Sequence, residues 1–307
     1  STGKSYMAAQ IAANAQKSGK LVVYFDSESA IDPSFLERTG CDLERLMYVQ
    51  AQSVEFVLET IEELLGASDD QMVFIWDSLA FTPSVSDVEG DFNPQSSMAV
   101  KARILAKGMS KLTIPLADKQ ATLLVLNQLK TNIPQGPNAR VVAMTTPYIT
   151  PGGKAMHYSY SLRIWLTGRK AKSAFIEDDK GFRIGSEVKV KLEKSRFGTQ
   201  GRSCAFRILW GTEQIGIRDE ESWFDAIKGS DSLSSAGAWY TLSTPDGYTK
   251  KFQPSKWTDL ITSDEEFRNH VVRIMDEEIV QKFEKREGDA SSFYEDPDDL
   301  TVPVTSK

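Results

Sequence analysis

Three short apolar runs mark the first half of the chain: LVVYF at 21–25, MVFIW at 72–76 and TLLVL at 122–126. Each is rich in β-branched or aromatic residues and has no polar interruption, the pattern of a strand buried on both faces. Between them, periodic apolar positions predict helices over about 53–65 and 98–113. An Ala-rich stretch at 5–18 predicts another, with Gly19 as its C′ residue. This alternation predicts an α/β fold with a mostly parallel central sheet. Beyond residue 160 the texture changes. LRIWL (162–166), EVKVKL (187–192) and CAFRIL (204–209) are strand-like with little helix between them, and are expected to extend the sheet in antiparallel fashion. The composition shifts again around 218–228. The expected organisation is a core over 1–217, a small α+β domain over 218–286 closing in a charged amphipathic helix at roughly 264–285, and an acidic, disordered tail over 287–307.

A chain of 307 residues, 40% hydrophobic and 26% charged, can bury a full core without staples. No apolar run reaches the roughly 18 residues of a membrane span. Cys41, Cys204, His157 and His270 are its only cysteines and histidines, which argues against a disulfide scaffold or a Cys/His zinc site and fits a reducing, cytoplasmic setting. No signal peptide is visible, and the start at Ser1 rather than Met suggests a fragment. The net charge of −7 at first disfavours a nucleic-acid partner. Its distribution changes that: residues 276–300 hold ten acids and three bases, so this segment carries the whole excess. Residues 98–115 hold Lys101, Arg103, Lys107 and Lys111 with no acid, and 129–154 hold Lys130, Arg140 and Lys154, again with none.

The chemistry begins at Ser1-Thr2-Gly3-Lys4-Ser5, which leads straight into a helix like the second half of a P-loop. Backbone N–H groups of such a turn point at phosphates, backed by the helix N-terminus. Lys4 would reach the β/γ-phosphates and Ser5 would ligate Mg²⁺. A chance helix start is the alternative. Polar residues follow each apolar run: Asp26-Ser27-Glu28, Asp77-Ser78 and Asn127-Gln128. Parallel strands place such residues at one edge, where ligands bind. Asp77 fits a Mg²⁺-holding role, Glu28 a general base or orienter of water, and Gln128 a γ-phosphate sensor. Each alone is better read as a cap or turn residue; together they point to nucleotide hydrolysis. In EVKVKLEKSR, strand alternation puts Val188, Val190 and Leu192 on a face that continues into Lys194 and Arg196. That pattern suits a subunit seam where both cations reach a neighbour's γ-phosphate, or simply a solvated strand end.

Residues 129–153 read as a long connection without firm secondary structure, starting at Gln128. In the helix before it, Met98, Ala102, Leu105, Met109 and Leu112 form one stripe, while Arg103, Lys107 and Lys111 form another at like-charge spacing. Either acids from elsewhere in the fold or an external polyanion would offset that repulsion. A loop joining a phosphate sensor to a polyanion can couple nucleotide state to nucleic-acid affinity.

Taken in order, these motifs resemble the RecA recombinases, including the phage UvsX-type members, from Ser1 to about residue 285. STGKS is similar to the end of the family's P-loop, and YFDSESAIDPSFLERTG to the segment carrying its catalytic glutamate, here Glu28. The resemblance implies that Asp32 and Phe35 contact adenine. MVFIWDSLAFTP resembles the Walker-B strand, and VEGDFNPQSSMAVKAR the first DNA-binding loop and its helix, which implies Met98 and Arg103 near DNA. VLNQLK and the stretch ending TPGGKAM resemble the flanks of the second DNA-binding loop, implying Gly152, Gly153 and Lys154 at the backbone. EKSR is similar to the intersubunit basic pair in its UvsX form, and AGAWY to the C-terminal domain signature. The family's N-terminal polymerisation helix, first core strand and first half of the P-loop have no counterpart in this chain. Glu220 stands where many bacterial members place an aromatic near adenine. The implied activity is that of a DNA-dependent ATPase, using ATP and Mg²⁺, which forms a homo-oligomeric helical filament on single-stranded DNA and pairs it with homologous duplex DNA. A hexameric replicative helicase or a non-hydrolysing paralogue that loads a recombinase are the alternatives.

Overall fold

The computed structural model describes residues 2–29, 31–90, 98–133, 136–146, 148–168, 171–197, 200–211 and 215–280. The chain runs through α1 (Lys4–Lys17), β1 (Leu21–Asp26), α2 (Pro33–Arg38), β2 (Leu46–Gln50), α3 (Val54–Ala67), β3 (Met72–Asp77), α4 (Val85–Glu89), α5 (Met98–Asp118) and β4 (Thr122–Val125). It continues through β5 (Lys130–Thr131), α6 (Ala139–Thr145), β6 (Tyr148–Ile149), α7 (Gly153–Ser159), β7 (Leu162–Gly168), β8 (Phe175–Glu177), β9 (Arg183–Ser195), β10 (Ser203–Leu209) and β11 (Gly216–Arg218). The last elements are α8 (Glu220–Ile227), β12 (Leu233–Ala236), β13 (Trp239–Ser243), β14 (Thr249–Phe252), α9 (Trp257–Ser263) and α10 (Glu265–Ile274).

The three apolar runs form neighbouring parallel strands in a sheet ordered β2-β1-β3-β4. Every residue of β3 is buried, as expected of a strand covered on both faces. On one face, Ala8, Ala9, Ala12 and Ala13 let α1 lie close over Val22, Tyr24, Val73 and Ile75. On the other, Val57, Ile61 and Leu65 of α3 and Leu105, Met109 and Leu112 of α5 pack on Phe25, Phe74 and Trp76. Leu105, Met109 and Leu112 of the apolar stripe of α5 are therefore core. In the basic stripe, Lys111 meets Glu62 of α3 at 2.6 Å, so an acid from a neighbouring helix offsets that position.

The antiparallel strands after residue 160 have their own ladder, ordered β11-β10-β9-β7 with β8 paired to β9. Val188, Phe206 and Ile208 of this sheet pack against Tyr6 and Met7 of α1, so one helix is shared by two sheets. Its longest strand departs from simple alternation. Between β7 and β9, Arg163 pairs with Lys194 but Ile164 pairs with Leu192, which skips Glu193. Paired residues share a face, so this shift moves Lys194 to the face of Arg163 and away from that of Leu192. The expectation that the Val188-Val190-Leu192 face runs on into Lys194 is thereby corrected, and Arg196 lies beyond the strand.

The 129–153 segment also differs from the irregular connection expected. Lys130–Thr131 pairs with Tyr148–Ile149, closing the segment at its base, and α6 lies within the excursion. Two-residue strands and a seven-residue helix are too short to leave a periodic signal. Past residue 218, the three-stranded sheet β12-β13-β14 and its helices enclose a cluster that includes Phe224, Leu242, Phe252, Trp257, Phe267 and Val271. The closing helix is α10, N-capped by the Asp264 side chain and followed by a wider π-helical turn over Met275–Val280. The acidic tail at 287–307 lies outside the described residues.

Candidate active site

Parallel register puts the ends of β1 and β3 side by side, with Asp26 directly opposite Asp77. The end of β4 joins them: the Leu126 N–H donates to Trp76 O and the Leu79 N–H to Leu126 O, both at 2.9 Å. Into this edge comes the N-terminus of α1. Gly3 caps it in the left-handed region at φ 83°, and an added Cβ there would lie 2.0 Å from Ile208 Cδ1. The turn thus needs glycine twice, for its backbone and for the close approach of β10. Lys4 and Ser5, the first helical residues, are half-buried; Ser1 lies outside the described residues.

Ser5 Oγ donates to Asp77 Oδ2 at 2.9 Å, and the Tyr24 hydroxyl donates to the same oxygen at 3.0 Å. Burial pushes the Asp77 carboxyl up, the bonds from Ser5 and Tyr24 pull it down, and the charges of Glu28 and Asp26 raise it further. Burial, then Asp77, drives the Tyr24 phenol well above its ordinary range. Asp26 is used locally: its oxygens accept the N–H groups of Glu28, Ser29 and Ile31 and the Tyr48 hydroxyl, the last at 2.7 Å. These bonds shape the turn that carries Glu28. The Glu28 carboxylate then accepts from Ser78 Oγ at 3.0 Å, while Ser27 Oγ bonds both the N–H and the carbonyl of Ser78. Glu28 and Asp77 are therefore linked through consecutive residues at the end of β3, and Asp77 reaches the P-loop-like turn through Ser5. A hydroxyl beside a carboxylate is a hard-oxygen donor pair of the kind that would suit Mg²⁺.

Gln128 is half-buried just past β4, its N–H bonded to Asn127 Oδ1. Asn127 Nδ2 donates to Pro151 O at 2.9 Å, which ties the far end of the 129–153 excursion to the sheet edge. Gly152, left-handed at φ 104°, then starts α7, where a Cβ would lie 2.8 Å from Met156 Cγ and 3.3 Å from Leu79 Cδ2. Gly153 follows at φ 78°. Lys130 and Arg140 are exposed on β5 and α6, and Arg103 and Lys107 are exposed on α5. Met98 and Lys154 occupy the starts of α5 and α7, but their side chains lie outside the described residues. Asp32 N-caps α2 through the Ser34 N–H at 3.0 Å, and bonds from Ser34 hold its carboxyl below the usual range. Phe35 meets the Tyr6 ring edge-on with centroids 4.7 Å apart.

The two cations of the EKSR segment sit at the other end of α7. Lys194 Nζ donates to His157 O at 2.6 Å, and Arg196 Nη2 to Tyr158 O at 2.5 Å. Cations on the last carbonyls of a helix are favourably placed against its dipole. The sequence alone assigned no role to Tyr24, Tyr48, Ser78, Asn127 or Lys101. Lys101 Nζ bonds Leu79 O and Thr82 O, and burial lowers its ammonium. Of these, Asn127 and Ser78 carried a signal as polar residues after apolar runs, and Lys101 as one base of the acid-free 98–115 segment.

Comparison with known proteins matches residues 1–216 to the RecA N-terminal domain. A Protein RecA of Fusobacterium nucleatum subsp. nucleatum is 32% identical over 244 residues, covering 79% of this chain and 60% of its own length. One from Clavibacter michiganensis subsp. michiganensis is 30% identical over 241 residues, with 78% and 62% covered. Another, from Chlamydia abortus, is 30% identical over 240 residues, with 78% and 64% covered. The chain thus spans less than two thirds of the length of these relatives.

Proposed function

Because the chain belongs to the RecA family, we propose that it acts in the cytoplasm as an ATP-dependent DNA recombinase. In this role it polymerises as a helical filament on single-stranded DNA and pairs that strand with a homologous duplex in recombination and repair. One observation carries the reading: the 2.9 Å Ser5–Asp77 bond holds a TGKS turn at the carboxyl edge of a parallel sheet, where a triphosphate meets a helix N-terminus. Ser1, Thr2 and Gly3 lend backbone N–H groups to the phosphates, and Lys4 supplies charge. Ser5 and Asp77 hold Mg²⁺, which when bound neutralises charge on the phosphate oxygens. Glu28, aimed by Ser78, orients the attacking water and accepts its proton. Asp32 and Phe35 hold the adenine.

Gln128 senses the γ-phosphate and passes its presence to the 129–153 excursion, for which the Asn127–Pro151 bond offers a direct link. Arg103, Lys107, Lys130, Arg140 and Lys154 face DNA phosphates, and Met98, Gly152 and Gly153 approach the strand. Lys194 and Arg196 serve the nucleotide of the adjoining subunit in trans. Residues 218–286 form a C-terminal domain, and the acidic tail competes with DNA for the basic segments.

ATP turnover of the full-length protein, with and without single-stranded DNA, tests the reading. DNA should stimulate turnover, Glu28→Gln should lower kcat by about 10²–10⁴-fold while ATP still binds, and electron microscopy should show open filaments. Turnover indifferent to DNA, or closed rings, would overturn the proposal.

A further inference from the structure

The hydroxyl of Tyr24 lies where no water reaches it: the residue is 0% exposed, within the layer between β1 and α1. A phenylalanine would fill the same apolar space. A buried hydroxyl costs free energy unless it is bonded, and this one is bonded to Asp77 Oδ2 at 3.0 Å. Register explains the reach. Tyr24 is opposite Ile75 and Asp26 is opposite Asp77, so Tyr24 meets Asp77 along the diagonal of the β1–β3 pair. The same diagonal recurs one strand over, where Tyr48, opposite Tyr24, meets Asp26 at 2.7 Å. Two carboxylates thus stand side by side at the sheet edge, and each takes a phenol from the adjacent strand.

Asp77 Oδ2 consequently has two donors arriving from different elements, Ser5 on α1 and Tyr24 on β1. The terminal torsion of an aspartate is broad, and one donor alone leaves the carboxylate plane free to turn. We infer that Tyr24 is a positioning residue for metal–nucleotide binding, its hydroxyl fixing the Asp77 carboxylate in the orientation from which Asp77 and Ser5 together serve Mg²⁺. This rests on the assignment of Ser5 and Asp77 proposed above. In this role Tyr24 acts only through Asp77.

Tyr24→Phe removes one oxygen and keeps the ring. Binding of a fluorescent ATP analogue to the full-length protein is measured across a Mg²⁺ titration and again in EDTA, alongside thermal unfolding. The half-saturating Mg²⁺ concentration should rise about tenfold, the equivalent of one hydrogen bond to a charged group. Binding in EDTA should stay at the wild-type value. Tyr24→Leu, which also loses the ring, should show the same Mg²⁺ shift with a lower unfolding temperature. An unchanged Mg²⁺ requirement in Tyr24→Phe, or a shift confined to Tyr24→Leu, overturns the Tyr24 assignment while leaving the site reading intact. Wild-type binding that ignores Mg²⁺ overturns the site reading and the inference with it.

Discussion

The carboxyl edge of the parallel sheet and the cationic end of β9 hold their charges in opposite ways. At the sheet edge, Asp26 and Asp77 are 1% and 8% exposed, and their oxygens accept from backbone amides, a serine and two tyrosines. At the end of β9, Lys194 and Arg196 extend to two carbonyls of α7, the first half-buried and the second exposed. The first arrangement is completed inside one chain, its donors coming from α1, β1, β2 and the turn after β1. The second places its cations on neutral carbonyl acceptors. The carboxylates are built into the packed edge of the sheet; the cations rest on helix carbonyls at the surface.

The sharpest test of this contrast is at the cations. Replacing Lys194 or Arg196 with Ala should lower DNA-stimulated turnover by about 10³-fold, the scale of a trans-acting cation at a phosphate. Thermal unfolding should barely move, because exposed bonds to carbonyls contribute little. A large drop in unfolding temperature with turnover intact would make them structural and erase the difference between the regions. A smaller effect is expected from Asp26→Asn. The amide cannot accept on both sides, so donors from the Glu28 turn or Tyr48 lose their acceptor at the buried Asp26 position, at about 1–3 kcal/mol in urea unfolding. A neutral result would mean the edge is less completely built than its bonds suggest.

The smallest effect concerns alkaline pH. Burial first, then Asp26, pushes the Tyr48 phenol up to about 12 from its ordinary 10.0. A folded-state value above the unfolded one favours the protonated phenol in the native chain. That contribution is whole below pH 10 and is lost as pH rises from about 10 to about 12. Tyr48→Phe should therefore flatten the fall in stability over that window, as followed by denaturant midpoints. Because Tyr48 is partly exposed, the change should be slight beside that of Asp26→Asn.

Much of the edge was legible from the residues in order. Apolar runs buried on both faces announce parallel strands, and the first polar residues after them fall at one edge, so Glu28, Asp77 and Gln128 could be grouped before any coordinates. The phenols were not legible. Tyr24 reads as one more apolar position in LVVYF, and only the β1–β3 register reveals that its hydroxyl meets Asp77. The basic stripe of α5 was half legible: its spacing was clear, but the acid that meets Lys111 comes from α3, across a helix–helix contact. The face of Lys194 was misread because period-two alternation fails at a register shift, and nothing in EVKVKLEKSR marks where one occurs.

The residues alone, then, determined the α/β class, the alternation of three buried strands with helices in the first half and the chemical types at the strand ends, because burial and periodicity are local properties of a chain. Tertiary structure decided which carboxylate shares a donor with which, where the shift in β9 sends Lys194, and which helix carbonyls hold the cations. Those outcomes depend on pairing register and on contacts between segments distant in sequence, and the free energy that selects among them is spread over surfaces that exist only once the chain has folded.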